Sequence, residues 1–129
     1  MTASTIQDNV RGVLVTAFSG LSASVYSHVP EAPIPPAVVI VPSEPYFEME
    51  IISKSTFKCK VNLIISCIVA YNSNPGSLDN LEKLVISTIQ AIPSGWEVDT
   101  ASQPRVQDVG ASAMLVSDIT VSTYYTQTA

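Results

Sequence analysis

Few residues in this chain are of types that perform chemistry, and their spacing argues against a catalytic site. The chain has one histidine, His28, which lies beside a proline-rich stretch, and two cysteines, Cys59 and Cys67. Eight residues along one strand place both thiols on the same face but roughly 26 Å apart, which is far beyond disulfide reach. A cysteine–histidine pair would need His28 beside thiols that point into a sheet. We therefore interpret both cysteines as small buried apolar residues in a reducing compartment.

Carboxylate pairs are the second chemical candidate, since two acids on one strand face can act together as general acid and base. Glu48 and Glu50 form one such pair, and Glu97 and Asp99 form another. Each member of the first pair is predicted to face a lysine, and an ion-paired carboxylate is a poor proton donor. The chain supplies too few ligands for a zinc site and contains no glycine-rich phosphate loop or HExxH motif. The sequence therefore predicts no catalytic residue, no metal and no cofactor.

The charged residues between positions 47 and 61 instead select the register of a β-hairpin. With a turn centred on Lys54, Glu50 faces Lys58 and Glu48 faces Lys60. Because side chains alternate between the two faces of a strand, a slip of one residue would break both pairs. The same register brings six apolar side chains together on the other face: Phe47, Met49, Ile51, Phe57, Cys59 and Val61.

The second strand of this hairpin is unusually long, because its pattern continues to Tyr71 with little interruption. Fifteen residues of strand reach about 50 Å, whereas a compact domain of this size has a diameter of roughly 36 Å. The strand must therefore bend, contain a bulge, or project beyond its own domain. A projecting hairpin usually has a binding partner.

The remaining pattern predicts a single α+β domain over residues 1–129, with an antiparallel or mixed sheet, a long projecting hairpin, and two helices on one face. Helices are predicted over 5–21 and 77–91, and further strands over 25–28, 37–41, 96–98 and 113–125. Prolines between positions 30 and 36 predict an extended surface loop. Pro42 and Pro45 are predicted to end the strand over 37–41.

Composition limits the classes of partner. Hydrophobic residues make up 47% of the chain and charged residues only 13%, so we expect some apolar surface to be buried against other subunits. The net charge of -5 leaves no broad basic face for gripping phosphates. The N-terminus lacks the features of a signal peptide, and the longest apolar run, 63–71, is too short to span a bilayer. We therefore expect a protein made in the cytoplasm that does not associate with membranes.

The order of these elements resembles that of the tail terminator proteins of long-tailed bacteriophages. The resemblance covers nearly the whole chain and lies in the order, length and composition of the elements. The matching features are the N-terminal helix (6–21), the proline-rich crossing (30–36), the strand AVVIV, the long hairpin strand FKCKVNLIISCIVAY, the helix SLDNLEKLVISTIQAI, and the closing strand AMLVSDITVSTYYTQT.

This resemblance implies a non-enzymatic virion protein that forms a ring, usually of six subunits, on the last ring of the tail tube protein. Such a ring stops tube polymerisation and joins the tail to the head-closure or neck connector protein. Genome DNA passes through its channel without specific binding. We expect most contacts with neighbouring subunits and partner rings at three segments: the hairpin tip at Lys54, the loop 30–36 and the C-terminal segment 124–129. The candidate interface residues are Glu48, Glu50, Lys54, Lys58, Lys60, Pro33, Pro35, Tyr124 and Tyr125.

Two alternatives remain open at this level. A head-closure protein, another neck protein or a minor tail protein is an alternative within virion assembly. An α+β module that binds a small ligand is an alternative of a different class, and it requires a concave pocket with convergent polar groups. Its candidate residues are His28, Glu44 and Tyr46, around the proline-rich loop.

Overall fold

The computed structural model describes residues 10–21, 23–26, 34–52, 56–71, 75–109 and 112–128. Within these ranges the chain forms a mixed sheet with helices packed on it, which confirms the α+β class. The helical segments are α1 (Gly12–Ala17), a 3-10 turn (Phe18–Gly20) and α2 (Pro75–Ala91). The strands are β1 (Ser24–Tyr26), β2 (Ala37–Ile52), β3 (Thr56–Ala70), β4 (Glu97–Ala101), β5 (Arg105–Val109) and β6 (Ser112–Thr128).

The sheet is centred on the pair formed by β3 and β6. The strand order is β1-β2-β3-β6-β4, and β5 also pairs with β6. β1 runs parallel to β2, whereas the other pairs are antiparallel. The register of β3 and β6 is unbroken from Thr56 opposite Thr128 to Ala70 opposite Met114. This uninterrupted ladder forms the centre of the sheet.

Both helices pack on the same face of the sheet, as the sequence predicts. Alternate β3 residues from Cys59 to Val69 are buried on this face, which we call the helix face. Leu14 and Phe18 from the N-terminal helical segments and Leu81 from α2 belong to the same buried cluster. A smaller buried cluster lies on the opposite face of the sheet and consists of Ala37, Val39, Ile68, Met114 and Val116.

The two helices agree with their sequence patterns where they are described. α2 begins at Pro75, two residues before the predicted start, and the first turn of a helix tolerates proline because its N–H needs no partner there. The chain turns after α2 at Gly95, whose φ of 91° is a conformation that favours glycine. The N-terminal helical segments end at Gly20, close to the predicted end at residue 21. Positions 5–9 of that predicted helix lie outside the described residues.

The prediction that Pro42 and Pro45 end a short strand is wrong. β2 continues through both prolines to Ile52, and its pairing with β3 shifts between Pro42 and Phe47. Among the described residues, β1 pairs with β2 only from Ala37 to Val39, so within this part of the chain β2 is an edge strand at both prolines. A proline removes a backbone donor, and an edge strand with an irregular register does not require that donor.

The predicted hairpin register is confirmed for three pairs and wrong for two, Glu50 with Lys58 and Ile51 with Phe57. Phe47 lies opposite Val61, Glu48 opposite Lys60, and Met49 opposite Cys59. A second register shift follows Met49 and places Ile51, not Glu50, opposite Lys58. The predicted pair of Glu50 and Lys58 is therefore absent from the ladder, because the bulge removes Glu50 from it. The turn centred on Lys54 lies outside the described residues.

Three strands extend together past the rest of the sheet. Among the described residues, β4 pairs with β6 no further than Ser122, and β1 pairs only near the start of β2. We call the remaining portion the distal extension, and it consists of 47–52 of β2, 56–61 of β3 and 123–128 of β6. The long hairpin is thus accompanied by β6 as a third strand along its full length. Among the described residues, neither helix is long and apolar enough to cross a membrane.

Candidate functional site: the distal extension, the acidic cleft and the α2 groove

The distal extension exposes large apolar side chains on its edge strand. Met49 is 54% exposed and Phe47 is 37% exposed. Tyr46 stacks on Phe47 with ring centroids 4.1 Å apart, and Tyr46 also packs against the helix-face core. Exposed apolar side chains grouped on one edge are typical of a surface that contacts another protein.

The two C-terminal tyrosines, which the sequence groups as interface candidates, lie on opposite faces of β6. Tyr125 is buried in the helix-face core, whereas Tyr124 is 46% exposed. The Nζ atom of Lys58 lies 4.9 Å from the centroid of the Tyr124 ring, which places a cation over an aromatic face. Neighbouring side chains of a strand point to opposite faces of the sheet, so the two tyrosines have different surroundings. Tyr124 is therefore the one available for contact.

Lys60 forms its ion pair with a residue of β4, a strand that is not part of the predicted hairpin. Its Nζ lies 3.6 Å from Oε2 of Glu97 on β4. Oε2 of Glu48, which lies opposite Lys60 in the register, accepts a hydrogen bond of 2.9 Å from Nδ2 of Asn62. The same amide also donates to the backbone oxygen of Pro45 at 3.1 Å. Asn62 thus ties the irregular part of β2 to β3.

Carboxylates converge around these residues in a cleft on the face opposite the helices. The cleft has a volume of about 570 Å³, and four acids line it together with Lys60: Glu44, Glu48, Glu97 and Asp99. We call it the acidic cleft. Sequence reasoning missed it because Glu44 lies in the irregular segment of β2 and Glu97 on β4, and only the strand order brings them together. No group of three metal-ligating side chains is found within the described parts of the chain.

A second polar network fixes the β4–β5 connection against β6. Oδ1 of Asp118 accepts a 2.6 Å hydrogen bond from the Ser66 hydroxyl, and its Oδ2 pairs with Nη2 of Arg105 at 3.0 Å. The Asp118 backbone N–H donates to the Ser102 hydroxyl, and the Ser117 hydroxyl donates to the Ser102 backbone oxygen. An aspartate in the middle of an apolar strand was the sequence signal for this network.

An apolar groove lies beside this connection, between α2 and the segment that joins β4 to β5. We call it the α2 groove. Its volume is about 280 Å³, and its apolar lining comes from Leu81, Val85, Ile86, Ala101 and Pro104. Ile86 is 57% exposed, so apolar surface continues outward from the groove along α2.

The other candidate residues from the sequence are Pro35 and Glu50, which the structure describes, and three that lie outside the described residues. Pro35 is half-buried and lines a cavity of about 490 Å³ between the N-terminal helical segments and α2. Lys54, Pro33 and His28 lie outside the described residues. Glu50 is exposed at the bulge of β2. The structure therefore does not gather the whole predicted set. It brings six of the predicted residues to the distal extension, with Tyr125 buried there: Glu48, Glu50, Lys58, Lys60, Tyr124 and Tyr125.

The two cysteines are free and buried, as the sequence predicts. Burial raises the pKa of the Cys67 thiol to about 11, an effect that a hydrogen bond to the Thr88 hydroxyl opposes and the charge of Asp118 reinforces. Burial also raises the pKa of Cys59. A protonated, buried thiol is a poor nucleophile. Neither cysteine therefore has the surroundings of a reactive group.

The fold defines an α+β protein with a six-stranded mixed sheet among its described residues and both helices on one face. Its notable surfaces are the distal extension, the acidic cleft and the α2 groove. Comparison with protein-family models and with curated proteins finds no match for this chain.

Proposed function

We propose that this protein is a structural virion protein of the tail terminator type. In this proposal it assembles into a ring, of six subunits by the resemblance, on the end of a phage tail tube. The ring stops tube polymerisation and joins the tail to the head-closure or neck connector protein. The observation that carries the proposal is the distal extension, which bears exposed apolar side chains at Phe47, Met49 and Tyr124 and has strand edges without partners in the described structure.

The strand edges of the distal extension favour association with other protein chains. β1 leaves β2 uncovered beyond Val39, and β4 leaves β6 uncovered beyond Ser122, among the described residues. An uncovered edge presents backbone donors and acceptors that another strand can pair with. Met49 and Tyr124 add exposed apolar surface at the same end of the molecule. With only 13% charged residues, the chain has little charge with which to keep such an edge in solvent.

The charge distribution is compatible with a channel for DNA. Four carboxylates line the acidic cleft on the sheet face opposite the helices. A chain of charge -5 gives six copies a total of -30. If this sheet face borders the channel, its charge repels phosphates and allows the genome to pass without adhering.

Native mass spectrometry together with negative-stain imaging tests the proposal. The full chain is measured alone and after mixing with tubes polymerised from a tail tube protein. We expect species of six subunits, or caps on tube ends that halt further growth. A protein that stays monomeric alone and also leaves tube ends unoccupied and growing would contradict the proposal.

A pair of tyrosine variants sharpens the same experiment. Tyr124→Ala removes an exposed aromatic of the distal extension, and Tyr71→Ala removes one of similar exposure (46% against 37%) at the other end of β3. We expect Tyr124→Ala to reduce ring formation while Tyr71→Ala does not, with both variants keeping the thermal midpoint of the unmodified protein. Equal ring yields for the two variants would remove Tyr124 from the interface.

The acidic cleft favours a second candidate function, the binding of a small cationic ligand. Its volume of about 570 Å³ falls in the range of small-molecule sites, and its carboxylates complement positive charge. Of the residues predicted for such a module, Glu44 lines the cleft, whereas Tyr46 packs toward the helix face. A rise in thermal midpoint with a small polyamine, lost on Glu97→Gln, would support this candidate over the terminator.

A further inference from the structure

The cavity beside Pro35 lies between the two helical segments that pack on the helix face, and we call it the Pro35 cavity. It is lined by Gly20 and Leu21 at the end of the N-terminal segments, by Val69 and Ala70 at the end of β3, and by one side of α2. Val69 is buried and belongs to the helix-face core, so the lining includes part of that core. The volume of about 490 Å³ lies within the range of about 300–1,000 Å³ that is usual for small-molecule sites.

The apolar part of the lining can receive the apolar body of a ligand. Leu21, Pro36, Val69 and Leu84 contribute to it from four different parts of the chain. No atom lies within 4 Å of the position that a Cβ at Gly20 would take, so there is open space in front of this glycine. An apolar group placed against this lining leaves water, which favours binding in proportion to the area covered.

The polar part of the lining is a row of three side chains on α2. Asn80, Lys83 and Ser87 all line the cavity. They are three and four residues apart, so they lie on the same side of the helix. An amide, an ammonium and a hydroxyl can each donate a hydrogen bond. The cavity therefore combines apolar side chains with one row of donors, which is the combination that orients a ligand.

The charge of the lining favours an anion. Lys83 is the only charged side chain among the described residues that line the Pro35 cavity. The ion pairs within the described parts of the chain involve Lys60 and Arg105, so Lys83 has no carboxylate partner there. Its acidic neighbours on α2, Asp79 and Glu82, do not line the cavity. Hydrogen bonds between a cation and an anionic acceptor are stronger than neutral ones, so an anionic group gains most from this position.

We propose that the Pro35 cavity binds a small molecule with one anionic group and an apolar body, such as a medium-chain carboxylate. The anionic group lies at Lys83 and accepts hydrogen bonds from Asn80 and Ser87. The apolar body lies against Leu21 and Leu84. This site is separate from the distal extension and from the acidic cleft, whose carboxylates complement positive charge. The proposal therefore goes beyond the assembly function and does not depend on it.

Titration of the full chain with octanoate, followed by NMR of labelled leucine and valine methyl groups, tests the site. Methyl signals are observable whether the chain is a single subunit or a ring. We expect saturable shifts at Leu21, Val69 and Leu84, which line the Pro35 cavity, with a dissociation constant of about 1 mM or lower. Val85 in the α2 groove and Val98 in the acidic cleft should not shift.

Two variants separate the contribution of the charge from that of the apolar lining. Lys83→Gln removes the charge, and we expect it to weaken octanoate binding at least about fivefold while leaving the binding of uncharged 1-octanol unchanged. Gly20→Leu fills the open space of the cavity and should weaken the binding of both compounds. The matched control is Lys58→Gln, which removes the same charge from the distal extension and should leave octanoate binding unchanged.

Two outcomes would overturn the proposal. Equal octanoate affinities for Lys83→Gln and the unmodified chain would show that the cavity does not select an anion. Shifts that do not saturate and that extend to Val85 and Val98 would show adventitious association with apolar surface only. Thermal midpoints close to that of the unmodified chain establish that the variants are folded. Lys83 is exposed, so Lys83→Gln decides the question even if Gly20→Leu does not fold.

Discussion

Lys60 shows how a single side chain is placed by the sheet as a whole. It lies opposite Glu48 on β2, yet its Nζ pairs with Glu97 on β4, across the intervening strand β6. The Lys60 and Glu97 side chains are 29% and 67% exposed, and exposed ion pairs contribute only about 0.2–1 kcal/mol. Cys59 and Val61, on either side of Lys60, are fully buried. The apolar residues therefore determine the register more than the charges do.

Cys67 gives a prediction about stability at alkaline pH. Burial raises its pKa from 9.0 to about 11, so the folded state holds the proton more tightly than the unfolded state. The stability linked to this proton is fully present below about pH 9 and is lost as the pH rises through 11. Two pKa units correspond to roughly 2–3 kcal/mol. We expect the free energy of unfolding to fall more steeply between pH 9 and 11 in the unmodified protein than in Cys67→Ala.

Urea denaturation of both proteins at a series of pH values measures this difference. Cys67→Ala also leaves a small cavity, which costs a constant amount of stability at every pH. The comparison therefore depends on the slope and not on the absolute values. If the plots of unfolding free energy against pH stay parallel for the two proteins up to pH 11, the Cys67 thiol does not titrate in the expected way.

At the scale of elements, α2, β3 and most of β6 follow from periodicity alone. Leu81, Leu84 and Thr88 recur at helical spacing on the packed side of α2, and alternate β3 residues from Cys59 to Val69 are buried. Such patterns predict elements because the core selects one face of each. Tyr124 and Tyr125 show the same logic in the candidate site, since alternation alone predicts that they lie on opposite faces.

The sequence predictions are wrong where tertiary contacts, and not the local sequence pattern, determine the structure. Pro42 predicts the end of a strand only if β2 has neighbours on both sides, and in the described residues β1 pairs with β2 no further than Val39. The bulge after Met49 removes Glu50 from the ladder, and no pattern within the hairpin indicates that extra residue. The acidic cleft depends on the order β2-β3-β6-β4, which joins Glu44 to Glu97. A linear sequence pattern does not contain this order.

The different surroundings of Glu48 and Glu50 in the distal extension predict different effects of their replacement on stability. Glu48 accepts a hydrogen bond from Asn62, whereas Glu50 is exposed at the bulge and outside the ladder. We expect Glu48→Ala to lower the free energy of unfolding by about 0.5–1.5 kcal/mol, since it removes a hydrogen-bond partner. Glu50→Ala, the matched control, should change it by less than about 0.5 kcal/mol. Equal losses of unfolding free energy for the two variants in urea denaturation would indicate that both glutamates stabilise the hairpin through cross-strand ion pairs.

At the scale of the whole molecule, the two faces of the sheet carry different groups of side chains. The helix face holds the larger core, with side chains from both helices against β3 and β6. The opposite face of the sheet carries the polar side chains of the acidic cleft and of the Asp118 network. In the proposed ring, the helix face supports the subunit, the distal extension contacts neighbours, and the opposite face borders the channel.

This arrangement predicts how the assembled protein behaves toward DNA. Among the described residues that line the acidic cleft, Lys60 is the only cation and it is paired with Glu97, so we expect no affinity for DNA that varies with salt between about 50 and 200 mM. Fluorescence anisotropy with labelled double-stranded DNA measures this. The control is Glu97→Lys with Asp99→Lys, which changes the charge of each chain from -5 to -1 and places cations in the cleft. That variant should gain weak, salt-sensitive binding, whereas micromolar binding by the unmodified protein at physiological salt would contradict a non-adhesive channel.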